Sequence, residues 1–162
     1  MPAKKNKITK KVDFQVFDDP KKLQEAIFEK NAINNKARMV AGYCWDWVSK
    51  NNPEEFDFKS EEFGFNMRWN MTDYGGKWII DPESVTEIGC IHTAQGLEVD
   101  YVGVIIGNDL IIRDGEVLVN PSARSGGDRT IFGSVSGMRD NPEYWKPLLK
   151  TIIKNTYRTL MT

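Results

Sequence analysis

Two apolar runs constrain the fold more than any other feature: residues 37–43 (ARMVAGY) and residues 100–107 (DYVGVIIG). Both are strand-sized, and the second is apolar at odd and even positions alike. A strand with two apolar faces needs cover on both sides, which is the condition of a parallel sheet flanked by helices. The flanking segments agree. Residues 13–17 (DFQVF) alternate and predict a strand. The following DDPKKLQEAIFEKN predicts a helix, with Asp18 or Asp19 as its cap and Pro20 in its first turn. Leu23, Ala26 and Ile27 recur at helical spacing on its inner face, and Asn34 and Asn35 end it. The chain therefore opens as β-α-β and belongs to the α/β class.

Farther along, the pattern is uneven. Residues 44–81 hold four of the five tryptophans (Trp45, Trp47, Trp69 and Trp78) among scattered Asp, Asn and Gly. This composition predicts irregular structure with short strands, its aromatics packed beneath long loops in preference to stacking on bases. Residues 86–92 (TEIGCIH) predict a strand and TAQGLE a turn before the second apolar run. Asp114-Gly115, between two short apolar runs, predicts a tight β-hairpin near 109–119. Residues 121–141 are rich in Ser, Gly and Arg and predict a long, mobile loop. From Trp145 to Met161 an i, i+3, i+4 rhythm predicts a closing helix with Pro147 near its first turn.

Charge and cysteine content narrow the function. Residues 1–12 carry five lysines and no acid and read as a flexible basic tail; the remainder holds 17 basic and 23 acidic side chains. Such a body does not grip nucleic acid by charge alone. Cys44 and Cys90 are the only cysteines and His92 the only histidine, too few for a Cys-rich zinc site, so no metal site is expected. Both cysteines sit beside apolar or aromatic residues and read as free thiols in a reducing, cytoplasmic setting. No apolar run approaches the roughly 20 residues of a membrane span, so no membrane partner is expected.

The phosphate-cradling GxxxxGK[ST] is absent, as are HExxH, GxSxG and CxxC. The best local signal is residues 92–100, HTAQGLEVD, between two candidate core strands. A Thr hydroxyl, a Gln amide and a Gly backbone N–H at a strand-to-turn junction suit phosphate oxygens or a ribose, and Glu98 is placed to accept from a sugar hydroxyl. A polar turn between two buried strands explains the same residues equally well.

Residues 88–106, IGCIHTAQGLEVDYVGVII, resemble motif V of superfamily 1 helicases, in which Thr, then Gln or Lys, then Gly-Leu-Glu precede a buried strand. The chain is most similar to the Schlafen group 3-like DNA/RNA helicase domain family. FDDPKKLQEAI, ARMVAGYCWDWVSK, FNMRWN, WIIDPESV and KNTYRTLMT resemble the same family, so the likeness runs from Asp13 to Thr162. It implies a RecA-like (P-loop NTPase-like) fold over residues 13–162, the second, C-terminal motor domain of an ATP-dependent helicase or translocase. Family chains are longer. Their first RecA-like domain carries the phosphate loop and the acidic magnesium motif, and an arginine of motif VI follows the segment similar to NTYRTLMT. This chain stops at Thr162, one residue short of that arginine.

Residue by residue, the resemblance implies that Thr93 contacts the nucleic-acid backbone, with His92 and Gln95 beside it. Gln95 and Gly96 form the turn that links the strand track to the nucleotide cleft, Glu98 contacts the nucleotide ribose, and Arg38 matches a motif IV arginine near the phosphates. Arg158 precedes the expected finger and does not replace it. No residue here is expected to be catalytic. ATP and Mg2+ would be bound by the parent protein, not by this fragment alone; the partners would be the N-terminal RecA-like domain of the same parent and single-stranded DNA or RNA. The competing reading is a non-enzymatic nucleic-acid or protein-binding module with the same shape. A weaker one is a hydrolase or nuclease using His92 and nearby carboxylates.

Overall fold

The computed structural model describes residues 13–70, 77–96 and 98–162. The basic tail of residues 1–12 therefore lies outside the described residues. Asp19 caps helix α1 (Pro20–Asn34) by accepting from the backbone N–H groups of Lys21 and Lys22, and Asn35 closes it in the left-handed region at φ 57°. Strand β1 (Ala37–Ala41) follows and is buried along its whole length. The irregular stretch after it contributes β2 (Phe58–Ser60) and β3 (Phe65–Trp69). A 3-10 turn (Pro82–Thr86) then leads into β4 (Glu87–Gly89), the short helix α2 (Ile91–Ala94) and β5 (Tyr101–Ile105). Strands β6 (Leu110–Arg113) and β7 (Glu116–Val119) form a separate ribbon, and helices α3 (Ser134–Asp140) and α4 (Pro142–Leu160) close the chain.

The sheet order is β2-β3-β4-β1-β5. Every pairing is parallel except the antiparallel β2–β3 pair at one edge. Alternation along β1 builds two cores. Met39 and Ala41 pack with Ile27 of α1 and with Phe58, Met67 and Trp69. Val40 faces the other way, into Ile153, Tyr157 and Leu160 of α4. The result is a mixed α/β fold whose mostly parallel sheet is covered on both faces, as the two-faced apolar runs require. The tryptophan-rich stretch packs as expected: Trp69 and Trp78 are buried, and Trp45 and Trp47 lie against the first core. The hairpin forms with a two-residue loop, Asp114 and Gly115 both at positive φ (53° and 76°).

Several expectations are corrected. Residues 13–17 form no strand; Phe14 and Val16 are exposed, because alternation supplies β propensity but no described neighbour supplies a ladder. The described chain thus opens α-β, not β-α-β. β5 is an edge strand with Tyr101 and Val102 partly exposed, not one buried on both faces. The strand expected over residues 86–92 stops at Gly89. There the Cys90 N–H donates to the Asn70 side chain at 3.2 Å, and the Thr93 and Ala94 N–H groups turn back to the Cys90 carbonyl. Helix α4 begins at Pro142 under an Asn141 cap, which places Pro147 inside the helix. Residues 121–141 are not one loop: two 3-10 turns (Pro121–Ala123 and Arg129–Ile131) and α3 order them.

Candidate functional site at the carboxyl edge of the sheet

In open α/β sheets, ligands bind in the crevice outside the carboxyl ends of the strands. Here that edge gathers the loop after β1, the start of α2 after β4, and the loop after β5. Gly42, directly after β1, has no room for a side chain, because the Tyr157 ring fills the space where a Cβ would sit. That close approach lets the Tyr157 hydroxyl accept from the Gly107 N–H at 2.9 Å and donate to Asp109 at 2.5 Å. Asp109 is fully buried, and Arg124 faces both its carboxylate, at 3.1 Å, and that of Asp128, at 2.9 Å. These side chains pin residues 121–128 onto the strand ends. Burial, reinforced by Asp109, raises the Tyr157 hydroxyl above the ordinary phenol range.

The same surroundings act on Cys44. Burial first, then Asp109, pushes its thiol up to about 12. Both cysteines are free. A raised pKa keeps the thiol protonated until pH approaches that value, so at pH 8 its thiolate fraction lies about three orders of magnitude below that of a free cysteine with pKa about 8.5. Iodoacetamide at pH 8 is expected to label native Cys44 correspondingly slowly and unfolded Cys44 readily, read by peptide mass mapping. Native labelling at the free-cysteine rate would refute this environment.

A cavity of about 190 Å³ opens beside this knot. Tyr43 and Trp47 line it from the β1 loop, Cys90, Ile91 and His92 from the β4 end, residues 124 and 127–130 from the pinned segment, and Thr156 from α4. Of the motif-like residues, His92 is exposed and reaches the cavity. Thr93 is half-buried on α2, its hydroxyl 3.4 Å from the Cys90 sulfur. Gln95 ends α2, and Gly96 turns at φ 81° with open space around it. Glu98 is exposed and has no side-chain hydrogen bond or ion pair to another described residue; Leu97 between them is outside the described residues.

Arg38 lies elsewhere. It sits at the amino end of β1, 1 % exposed. Its guanidinium donates to Ser84 Oγ, the Asn31 and Asn35 side chains, and the carbonyls of Ala37, Ile79 and Asp81. Burial lowers its pKa, partly offset by Asp81. Arg38 thus ties α1 to the turn before β4, at the edge of the sheet opposite His92 and Thr93. Arg158 is exposed on α4. Among the described residues no three His, Cys, Asp or Glu side chains form a group that could hold a metal ion. Sequence reading missed Asp109, Arg124, Asp128 and Tyr157. The one available signal was Asp128 four residues after Arg124 within a Ser/Gly-rich run.

The whole chain, residues 1–162, matches the family described as Schlafen group 3, DNA/RNA helicase domain. The chain belongs to this family. It is also 28% identical over 105 residues to a Saccharomyces cerevisiae protein named uncharacterized protein YPL245W, an alignment covering 62% of this chain and 22% of the yeast protein. The chain thus spans about a fifth of that relative's length. No solved structure matches. For this Schlafen group 3 domain a nucleic-acid-related role follows from the family, and no helix among the described residues is long and apolar enough to cross a membrane.

Proposed function

We propose that this Schlafen group 3 domain is the second RecA-like half of a superfamily 1 nucleic-acid-dependent ATPase, completed by a first half elsewhere in a longer parent protein. The observation that carries the reading is the position of residues 92–96 and 98. This motif V-like segment leaves the carboxyl end of a parallel strand, beside a cavity, with Gly96 in the left-handed turn that only glycine adopts freely. Thr93 would donate to a strand phosphate. Glu98, exposed and without a described side-chain partner, fits a ribose hydroxyl, and ATP would be the substrate, its phosphates and magnesium held by the other half. Arg38 does not fit a phosphate role, because its donors are already used. Closing and opening the cleft would then alternate the grip on the strand.

Two substitutions in the full-length parent test this division of labour. Thr93→Val is expected to weaken single-strand binding roughly ten-fold, the value of one charge-assisted hydrogen bond, with the KM for ATP little changed. Glu98→Ala is expected to raise the KM for ATP several-fold and to leave strand binding without nucleotide intact. If both variants match the wild type in both assays, the segment is a structural turn and the motor assignment loses its support.

A further inference from the structure

We propose that the cavity beside α2 is a pocket for one unstacked nucleobase of a bound single strand, an assignment that rests on the strand-binding reading above. Size is the first argument. At about 190 Å³ the cavity is smaller than the roughly 300–1,000 Å³ of sites that enclose whole ligands. It is somewhat larger than the roughly 150 Å³ that holds a benzene-sized ring. One planar ring system fits within it.

The walls supply the chemistry. Tyr43 is stacked on Trp69 at 5.3 Å, and Trp47 lies 6.3 Å from the same ring, so both are backed by the core before any ligand arrives. Fixed aromatic rings are the sequence-tolerant way to hold a base.

Asp128 lines the cavity, and Arg124 beside it is already committed to Asp128 and Asp109. A neutral ring suits the aromatic walls, Tyr43 and Trp47, while exposed Arg129 and His92 of the same lining are placed for the phosphate backbone, with Thr93 next to His92.

The test is fluorescence anisotropy of the full-length parent, without nucleotide, on labelled oligothymidylate and on an abasic strand of equal length. Wild type is expected to prefer the base-bearing strand by about ten-fold or more. Trp47→Ala should remove most of that preference and leave abasic binding unchanged. Because Trp47 also packs on Trp69, Trp47→Phe is the second variant; it keeps a smaller stacking ring and should retain a reduced preference. An unchanged preference in both variants overturns the pocket while leaving strand binding standing. Loss of binding to both strands in the wild type removes the strand reading and the pocket with it. If free adenosine diphosphate abolishes the wild-type preference, the base belongs to a nucleotide and the assignment to the strand is overturned.

Discussion

Arg124→Ala is expected to lower the stability of this domain by about 3–5 kcal/mol, the loss typical of removing one partner from a buried ion pair. Arg124 faces two carboxylates, and its side chain and that of Asp109 are essentially inaccessible to water. Asp109 also receives the Tyr157 hydroxyl, but that neutral donor does not balance its charge. Without Arg124, residues 121–128 would have to bury two carboxylates unpaired or come away from the strand ends. Urea unfolding measures the effect as a lower midpoint at unchanged slope. Restoring neutrality in Arg124→Met/Asp109→Asn/Asp128→Asn should recover much of the loss, because a buried triad is costly mainly when half-dismantled. A loss under about 1 kcal/mol in the single variant, the scale of an exposed pair, would mean that the knot is solvated.

Arg38→Met is expected to cost at least about 3 kcal/mol, since several buried acceptors each lose about 1–3 kcal/mol of satisfaction. The Ile79 and Asp81 carbonyls, the Ser84 hydroxyl and the Asn31 amide all take hydrogen bonds from this one side chain. A methionine fills much of the volume and supplies none of the donors. Arg38→Lys should recover little, because one ammonium does not reproduce the planar fork. The same variants separate a structural from a nucleotide role. In the full-length parent, folded Arg38→Lys should keep the wild-type KM for ATP. A raised KM with stability intact would put Arg38 back among the phosphate ligands.

What was legible in the sequence is what local chemistry decides. Asp19-Pro20 and Asn35 bracket α1 because caps act within a turn. Asp114-Gly115 makes its hairpin because the two-residue loop demands positive φ at both positions. The two apolar runs became β1 and β5 because a parallel sheet needs them. The misreadings share one cause: their outcome depends on partners far away in the chain. Residues 13–17 have strand chemistry but no described neighbour to pair with. Residues 121–141 look like loop because the side chain that orders them, Arg124, finds Asp109 fifteen positions upstream, and Tyr157, which ties Asp109 to α4, lies 48 positions beyond that aspartate. The burial of Arg38 was hidden in the same way, because Ser84, which accepts from it, lies 46 positions away. The cavity needs the β1 loop, the start of α2, the pinned segment and α4, and no window of sequence contains them together. By contrast the motif-like residues 92–96 were legible as a polar junction after a core strand, and that is where they lie, although the strand itself is shorter than its pattern suggested.

The most direct measurement is steady-state ATP hydrolysis by the full-length parent, with and without single-stranded DNA or RNA. A motor half predicts hydrolysis stimulated by the strand, with the stimulation reduced by Glu98→Ala and by Thr93→Val. A parent that binds the strand yet hydrolyses no ATP in its presence or absence would contradict the motor and leave a binding module with helicase ancestry.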